Sequence, residues 1–104
     1  MNNILKKFYN KIINKFKYNV YWDISGGYIF HLLDISAHKE AEIIIWHSVT
    51  ASANIQYFNW LKNIDNIKVI NNIVKINERK INIVSEMYEF DKIISIANFL
   101  FIKK

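Results

Sequence analysis

The side chains in this sequence that could carry out chemistry are three histidines and a few carboxylates near them. His31 and His47 fall in stretches that predict neighbouring strands, and Asp23, Asp34 or Glu42 could orient either imidazole. Such a pair would supply general acid–base catalysis, and further ligands would make it a metal site. The sequence has no H-x-x-x-H pair, no nucleophile elbow and no phosphate-binding loop. We therefore predict that the protein is not an enzyme and binds neither a metal nor a cofactor.

The middle of the chain combines aromatic and acidic side chains, which suits binding to another protein. Trp22 and Trp46 are each either core residues or aromatic anchors of an interface. Acids around such anchors would attract a cationic partner and speed its association. The predicted partner-binding residues are Trp22, Asp23, Tyr28, Asp34, Glu40, Glu42 and Trp46.

These features favour a small inhibitor that acts by direct binding. An immunity protein that neutralises a cognate bacterial toxin, such as a nuclease with a cationic face, would explain the small size and the missing catalytic residues together. Ile, Asn and Lys are abundant and can all be written in A/T-rich codons, as in horizontally acquired genes. We therefore predict a toxin–immunity pair in the cytoplasm, a location with which the absence of cysteine is compatible.

A basic N-terminal segment supports an alternative function, the binding of nucleic acid or an anionic membrane. Apolar residues recur at helical spacing from Ile4 to Phe16, and the lysines of residues 1–19 match the net charge of +5 carried by the whole chain. A basic amphipathic helix binds either polyanion, but it also packs on a sheet with its lysines in solvent. The lysine density excludes a transmembrane span. The alternative basic surface is Lys6, Lys7, Lys11, Lys17, Arg79 and Lys80.

Residues 20–49 predict a three-stranded meander that would position the acidic and aromatic side chains. Strand-like alternation runs from Val20 to Ile24, and Gly26-Gly27 supplies two positions that can take positive φ in a hairpin turn. The stretch from Ala41 to Val49 contains three consecutive isoleucines and predicts the central strand, covered on both faces.

The second half of the chain predicts a helix, a pair of strands and a closing helix. Residues 51–64 and 88–102 have apolar positions at helical spacing, and the second has acids near its start and lysines at its end, as the helix dipole favours. Residues 67–86 alternate as strands, with Asn77 opening a type I turn. Asn71-Asn72 is either a bulge or a second tight turn.

The predicted element order is α-β-β-β-α-β-β-α, with residues 1–19 as the first helix. A length of 104 residues suits one domain. Tight turns between strands and segregated helices indicate a single α+β domain with a mostly antiparallel sheet of about five strands and about three helices.

Overall fold

The computed structural model describes residues 23–104, which form one α-helix and one antiparallel sheet. The elements are α1 (Gly26–Ile44), β1 (Ser48–Tyr57), a 3-10 turn (Ile64–Asn66), β2 (Ile67–Ile76), β3 (Lys80–Glu89) and β4 (Lys92–Lys103). The strands lie in the order β1-β4-β3-β2, and every neighbouring pair is antiparallel. The α+β class and the antiparallel sheet are confirmed, but the described residues hold four strands and one α-helix, fewer than predicted.

Helix α1 forms because its apolar residues recur at every fourth position. Ile29, Leu33, Ala37 and Ala41 are its buried residues and make one stripe that faces the sheet. Ser25 caps the helix, since its hydroxyl oxygen accepts a hydrogen bond from the Tyr28 amide at 3.2 Å. The small side chains at positions 37 and 41 allow the second half of the helix to approach the sheet closely.

The predicted meander over residues 20–49 is therefore wrong for the part of it that the structure describes. Gly26-Gly27 begins α1 instead of turning a hairpin, and the predicted central strand from Ala41 to Val49 starts with the last turn of the helix. Ile43 is 82% exposed, so the isoleucine run is not covered on both faces. Over the preceding four turns every fourth residue is buried, which favours a helix. This pattern outweighs the preference of the isoleucines for a strand.

The two helices predicted over residues 51–64 and 88–102 are also wrong. The first range is mostly strand β1 followed by a loop, and the second covers the end of β3, a turn and β4. In β4 the buried side chains include Ala97, Phe99 and Phe101, which is the two-residue period of a strand. Its β-branched and aromatic residues favour the same conformation.

The strands predicted over residues 67–86 lie where β2 and β3 form a hairpin. The Asn77 side chain orders the turn between them, because its Oδ1 accepts hydrogen bonds from the amides of Arg79 and Lys80, each at 2.9 Å. Asn71-Asn72 is neither a bulge nor a turn, since both residues pair with β3 and the register shift comes farther along the strand.

The core fills the space between α1 and the inner face of the sheet. Ile81, Ile83, Phe99 and Phe101 are fully buried there, and the Phe99 ring lies against Phe30 of the helix with centroids 5.7 Å apart. On its other flank the helix is tied to β2, where the Asn71 side-chain amide donates to the Ser36 hydroxyl at 2.9 Å. These contacts fix the rotation of α1, so one side of the helix faces edge strand β1.

The N-terminal amphipathic helix predicted over residues 1–19 lies outside the described residues. The same holds for Trp22 and for the predicted basic residues Lys6, Lys7, Lys11 and Lys17. Among residues 23–104, the one α-helix is not both long and apolar enough to cross a bilayer.

Candidate functional site

The side of α1 that faces β1 carries Asp34, and this carboxylate lies next to the start of the edge strand. The Thr50 hydroxyl donates a hydrogen bond of 2.9 Å to Asp34 Oδ1. Among residues 23–104, Thr50 is the hydrogen-bond partner of this carboxylate, and the bond lies at an exposed place on the surface. The arrangement is an oriented carboxylate with one acceptor atom available for a ligand.

Glu42, two turns farther along the same side of α1, is fully engaged instead. Its carboxylate accepts hydrogen bonds from the His47 amide at 3.0 Å, from the Ser48 amide at 2.8 Å and from the Ser48 hydroxyl at 3.1 Å. The Ser48 amide is the main cause that holds the pKa of Glu42 below its usual value. His38 lies 3.0 Å from the same carboxylate and stacks on Phe101 with ring centroids 5.3 Å apart. These groups join the end of the helix to β1 and leave little of Glu42 for a ligand.

Two further carboxylates are buried and paired at the opposite end of the molecule. Asp23 pairs with Lys62, and Glu89 accepts a hydrogen bond of 3.1 Å from the Asn63 amide. Both hold the loop after β1 in place. Asp34 therefore differs from these carboxylates, because it is half-buried, oriented by one hydroxyl and accessible.

The predicted partner-binding residues do not form one surface. One group lies on the C-terminal half of α1 and the connection after it, and consists of Asp34, Glu40, Glu42 and Trp46. Asp23 and Tyr28 lie near the helix start, at the other end of the molecule. The histidines were predicted on neighbouring strands, but His31 is on α1 and His47 is in the connection before β1. Arg79 and Lys80 lie at the β2–β3 turn.

The start of α1 is the second feature of this side of the molecule. Tyr57, at the end of β1, donates a hydrogen bond of 2.6 Å from its hydroxyl to the Gly26 carbonyl oxygen. A Cβ atom at Gly26 would lie 3.1 Å from the tyrosine ring, so the close approach depends on glycine. Backbone amides in the first turn of a helix have no partner within the helix and attract negative charge. Gly26 precedes Asp34 by two helical turns, about 12 Å along the axis.

Thr50 and Gly26 were missed as site residues by the sequence analysis. Thr50 stood just before the helix predicted over residues 51–64 and Gly26 in a predicted turn, because the surrounding elements were assigned to the wrong type. The signal that could have corrected this is the four-residue spacing of Ile29, Leu33 and Ala37, which places Asp34 on a helix just before the strand that carries Thr50.

No protein-family model and no curated protein sequence matches the chain. Solved structures do share its fold. A Bacillus halodurans protein crystallised with CoA is 18% identical with a TM-score of 0.72, covering 81% of this chain and 58% of its own. A Streptococcus mutans protein bound to acetyl CoA is 22% identical with a TM-score of 0.74, covering 85% and 72%. A hexameric broad-specificity acyl-coenzyme A thioesterase is 16% identical with a TM-score of 0.73, covering 85% and 71%.

The fold is the hot-dog fold. This finding contradicts the function predicted from the sequence. Structures with this fold were crystallised with CoA or acetyl CoA, and one of them is a thioesterase, so the predictions of an immunity protein, a toxin inhibitor and a non-enzyme are wrong. The expectation of a cationic toxin as partner is wrong for the same reason. It rested on the acidic side chains around Trp22 and Trp46 and on the lack of a catalytic motif in the sequence.

Proposed function

We propose that the protein hydrolyses thioesters of the acyl-CoA class, with Asp34 as general base. The observation that carries the proposal is the hydrogen bond of 2.9 Å from Thr50 to Asp34 on an accessible side of the helix. The bond orients the carboxylate and leaves one oxygen for a water molecule. Structures with this fold include one with CoA, one with acetyl CoA and an acyl-coenzyme A thioesterase, and these support the choice of substrate.

In the proposed reaction, Asp34 removes one proton from a water molecule. The resulting hydroxide equivalent attacks the thioester carbonyl and a carbon–oxygen bond forms. The carbon–sulfur bond then breaks, and the proton held by Asp34 passes to the departing sulfur, which releases a carboxylic acid and the CoA thiol. General-base assistance by a positioned carboxylate contributes about 10²- to 10⁴-fold to such a reaction. Thr50 holds Oδ1, so Oδ2 is the atom that receives the proton.

The negative charge that develops on the carbonyl oxygen needs a hydrogen-bond donor, and the amides of Gly26 and Gly27 are the candidates, since the Tyr28 and Ile29 amides are bonded to Ser25. Within one chain they lie about 12 Å along the helix from Asp34, too far to act on one carbonyl group. A second copy of the chain could bring its own helix start to this carboxylate. The proposal therefore places the complete site between two protomers.

Strand β1 is the surface through which two copies would pair. In the part of the chain from residue 23 onward it is an edge strand of the sheet, and its residues are exposed except for Ser48 and Ile55. A long exposed edge invites pairing with another strand, because its outer backbone groups have no partner in the sheet. We expect light scattering to give at least twice the chain mass of 12.4 kDa. A monomer at assay concentration would contradict the two-protomer site.

The test of the activity compares Asp34→Asn with the wild type in an assay of free thiol released from acetyl-CoA and longer acyl-CoA substrates. We expect kcat to fall by at least about a hundredfold, because the amide cannot accept the proton. Glu40→Gln is the matched control, since it removes an exposed carboxylate from the same helix, and its activity should stay within about twofold.

Thermal unfolding of both variants separates loss of catalysis from loss of fold. Full activity in a folded Asp34→Asn variant would refute the role of Asp34. The absence of thiol release from every acyl-CoA by the wild-type protein would refute the proposed reaction.

A further inference from the structure

The outer face of the sheet, opposite the helix, contains a groove of about 770 Å³. Its walls come from side chains that alternate with core residues, such as Asn82 between Ile81 and Ile83 on β3, so they point away from α1. The volume is in the range of sites for small organic ligands, about 300 to 1,000 Å³. Asp34 and Thr50 meet on the helix side of the sheet, so the groove is a separate place on the molecule.

The charge of the groove has one sign. Lys75 and Lys80 line it at the end near the β2–β3 turn, and no Asp or Glu of residues 23–104 is among its lining residues. Both lysines are exposed and able to turn toward a ligand. Two ammonium groups without a neighbouring carboxylate in the wall favour an anion.

Among residues 23–104, two carboxamides that line the groove have engaged oxygens and NH₂ groups that meet no acceptor. Asn77 Oδ1 accepts hydrogen bonds from two backbone amides of the turn, and Asn98 Oδ1 accepts one from the Asn82 side chain. Because an amide has its oxygen and nitrogen on opposite sides, each of these groups presents its NH₂ as the remaining hydrogen-bonding end. The wall therefore offers two ammonium groups and two amide donors, which suits the oxygens of a phosphate.

Two apolar side chains lie on the floor of the groove. Ile96 and Leu100 of β4 are partly exposed there, on either side of Asn98. An inorganic anion would leave this surface uncovered, whereas a phosphate ester with an organic body would place its phosphate at the lysine end and its body over these two side chains.

We propose that this groove binds a phosphate ester of nucleotide size, as a ligand separate from the thioester substrate. The lysine end holds the phosphate oxygens, and the carboxamides fix its orientation. The proposal goes beyond the hydrolytic function and stands independently of it, because binding is measured without turnover.

The test is calorimetric titration of the full chain with ADP, and with adenosine as the probe that lacks phosphate. We expect saturable binding of ADP with a Kd below about 1 mM, and at least about tenfold weaker binding of adenosine. Lys75→Gln combined with Lys80→Gln should weaken ADP binding by at least about tenfold, because it removes both charged donors. Lys39→Gln combined with Lys68→Gln removes the same charge from outside the groove and should change the Kd by less than about twofold.

Several results would overturn the proposal: no saturable ADP binding, equal losses in the two double variants, or an unchanged Kd in the groove variant. A parallel titration with acetyl-CoA separates this ligand from the substrate. If the groove variant loses acetyl-CoA affinity by the same factor as ADP affinity, the groove is the nucleotide subsite of the substrate and a separate ligand is refuted. If acetyl-CoA does not bind at all while ADP binds at the lysines, the proposed hydrolysis fails and the groove proposal holds.

Discussion

Replacing Thr50 by valine tests whether the hydroxyl beside Asp34 contributes to catalysis. Valine has nearly the same shape but cannot donate the hydrogen bond of 2.9 Å to Asp34 Oδ1. A hydrogen bond to a charged group contributes about 1.5 to 3 kcal/mol when it is shielded from water. Thr50 is exposed, so water can replace part of the bond, and we take about 1 to 1.5 kcal/mol as the loss in orienting the base. This corresponds to a fall in kcat of about 5- to 12-fold.

The assay is release of free thiol from an acyl-CoA under saturating substrate, with Thr50→Ser as the matched control. Serine keeps the hydroxyl, so its kcat should remain within about threefold of the wild type, allowing for its freer rotamer. The KM of Thr50→Val should change little, because the bond orients the base and does not contact the acyl chain. Equal kcat values for the valine variant and the wild type would refute the claim that Thr50 positions Asp34. Equal losses for valine and serine would assign the effect to packing.

Two further predictions concern stability. Leu33→Ala should lower the free energy of unfolding by about 3 to 5 kcal/mol in urea denaturation, because Leu33 is fully buried between helix and sheet. Ile43→Ala is the control, and it should change that free energy by less than about 0.5 kcal/mol because Ile43 is 82% exposed. Similar losses for both variants would contradict the described core. In the folded protein the pKa of Glu42 lies below its usual value of 4.5, chiefly because its carboxylate accepts a hydrogen bond from the Ser48 amide. The ionised carboxylate therefore stabilises the fold at pH values above 4.5. This stabilisation is lost as the pH falls through the pKa that Glu42 has in the folded state. The difference in melting temperature between the wild type and Glu42→Gln should therefore shrink from pH 7 toward pH 3, and a constant difference would contradict the role of the charge.

The sequence was sufficient for the parts of the fold that depend on local signals. The β2–β3 hairpin has alternating apolar residues and an asparagine whose side chain bonds the turn amides, and both signals act within a few residues. Helix α1 was missed because Gly26-Gly27 and the isoleucine run each resemble strand signals locally. The decisive pattern is the burial of every fourth residue across the whole helix, and it competes with those local signals.

Strands β1 and β4 were assigned as helices for a related physical reason. Alanines and polar residues in β1 have little preference for a strand, and β1 is a strand because it pairs with β4. In β4 apolar residues occupy nearly every position, so helical and strand periods both fit, and only the sheet on either side decides between them. Pairing between strands distant in the chain cannot be read from either segment alone.

The candidate site could be predicted only in part. Asp34 was among the residues chosen from the sequence, but for attraction of a cationic protein. Its chemical role depends on the contact with Thr50, which lies on another element 16 residues later. The proposed function rests on one carboxylate and one hydroxyl, and these two residues do not form a motif that can be found in a single sequence.

The one-residue bulge in β1 decides which changes of length this strand can accept. Thr50 lies opposite Phe101 and Ser52 opposite Leu100, so the strand carries one extra residue, Ala51, between them. Without it, residues two apart would point to the same face of the sheet. Because Ala51 is the extra residue, an in-frame deletion of its codon would leave Thr50 opposite Phe101 and Ser52 opposite Leu100, and both faces of β1 would stay as they are. The loss of one residue between Ser52 and Ile55 would instead exchange the two faces of part of the strand, because side chains alternate between the faces.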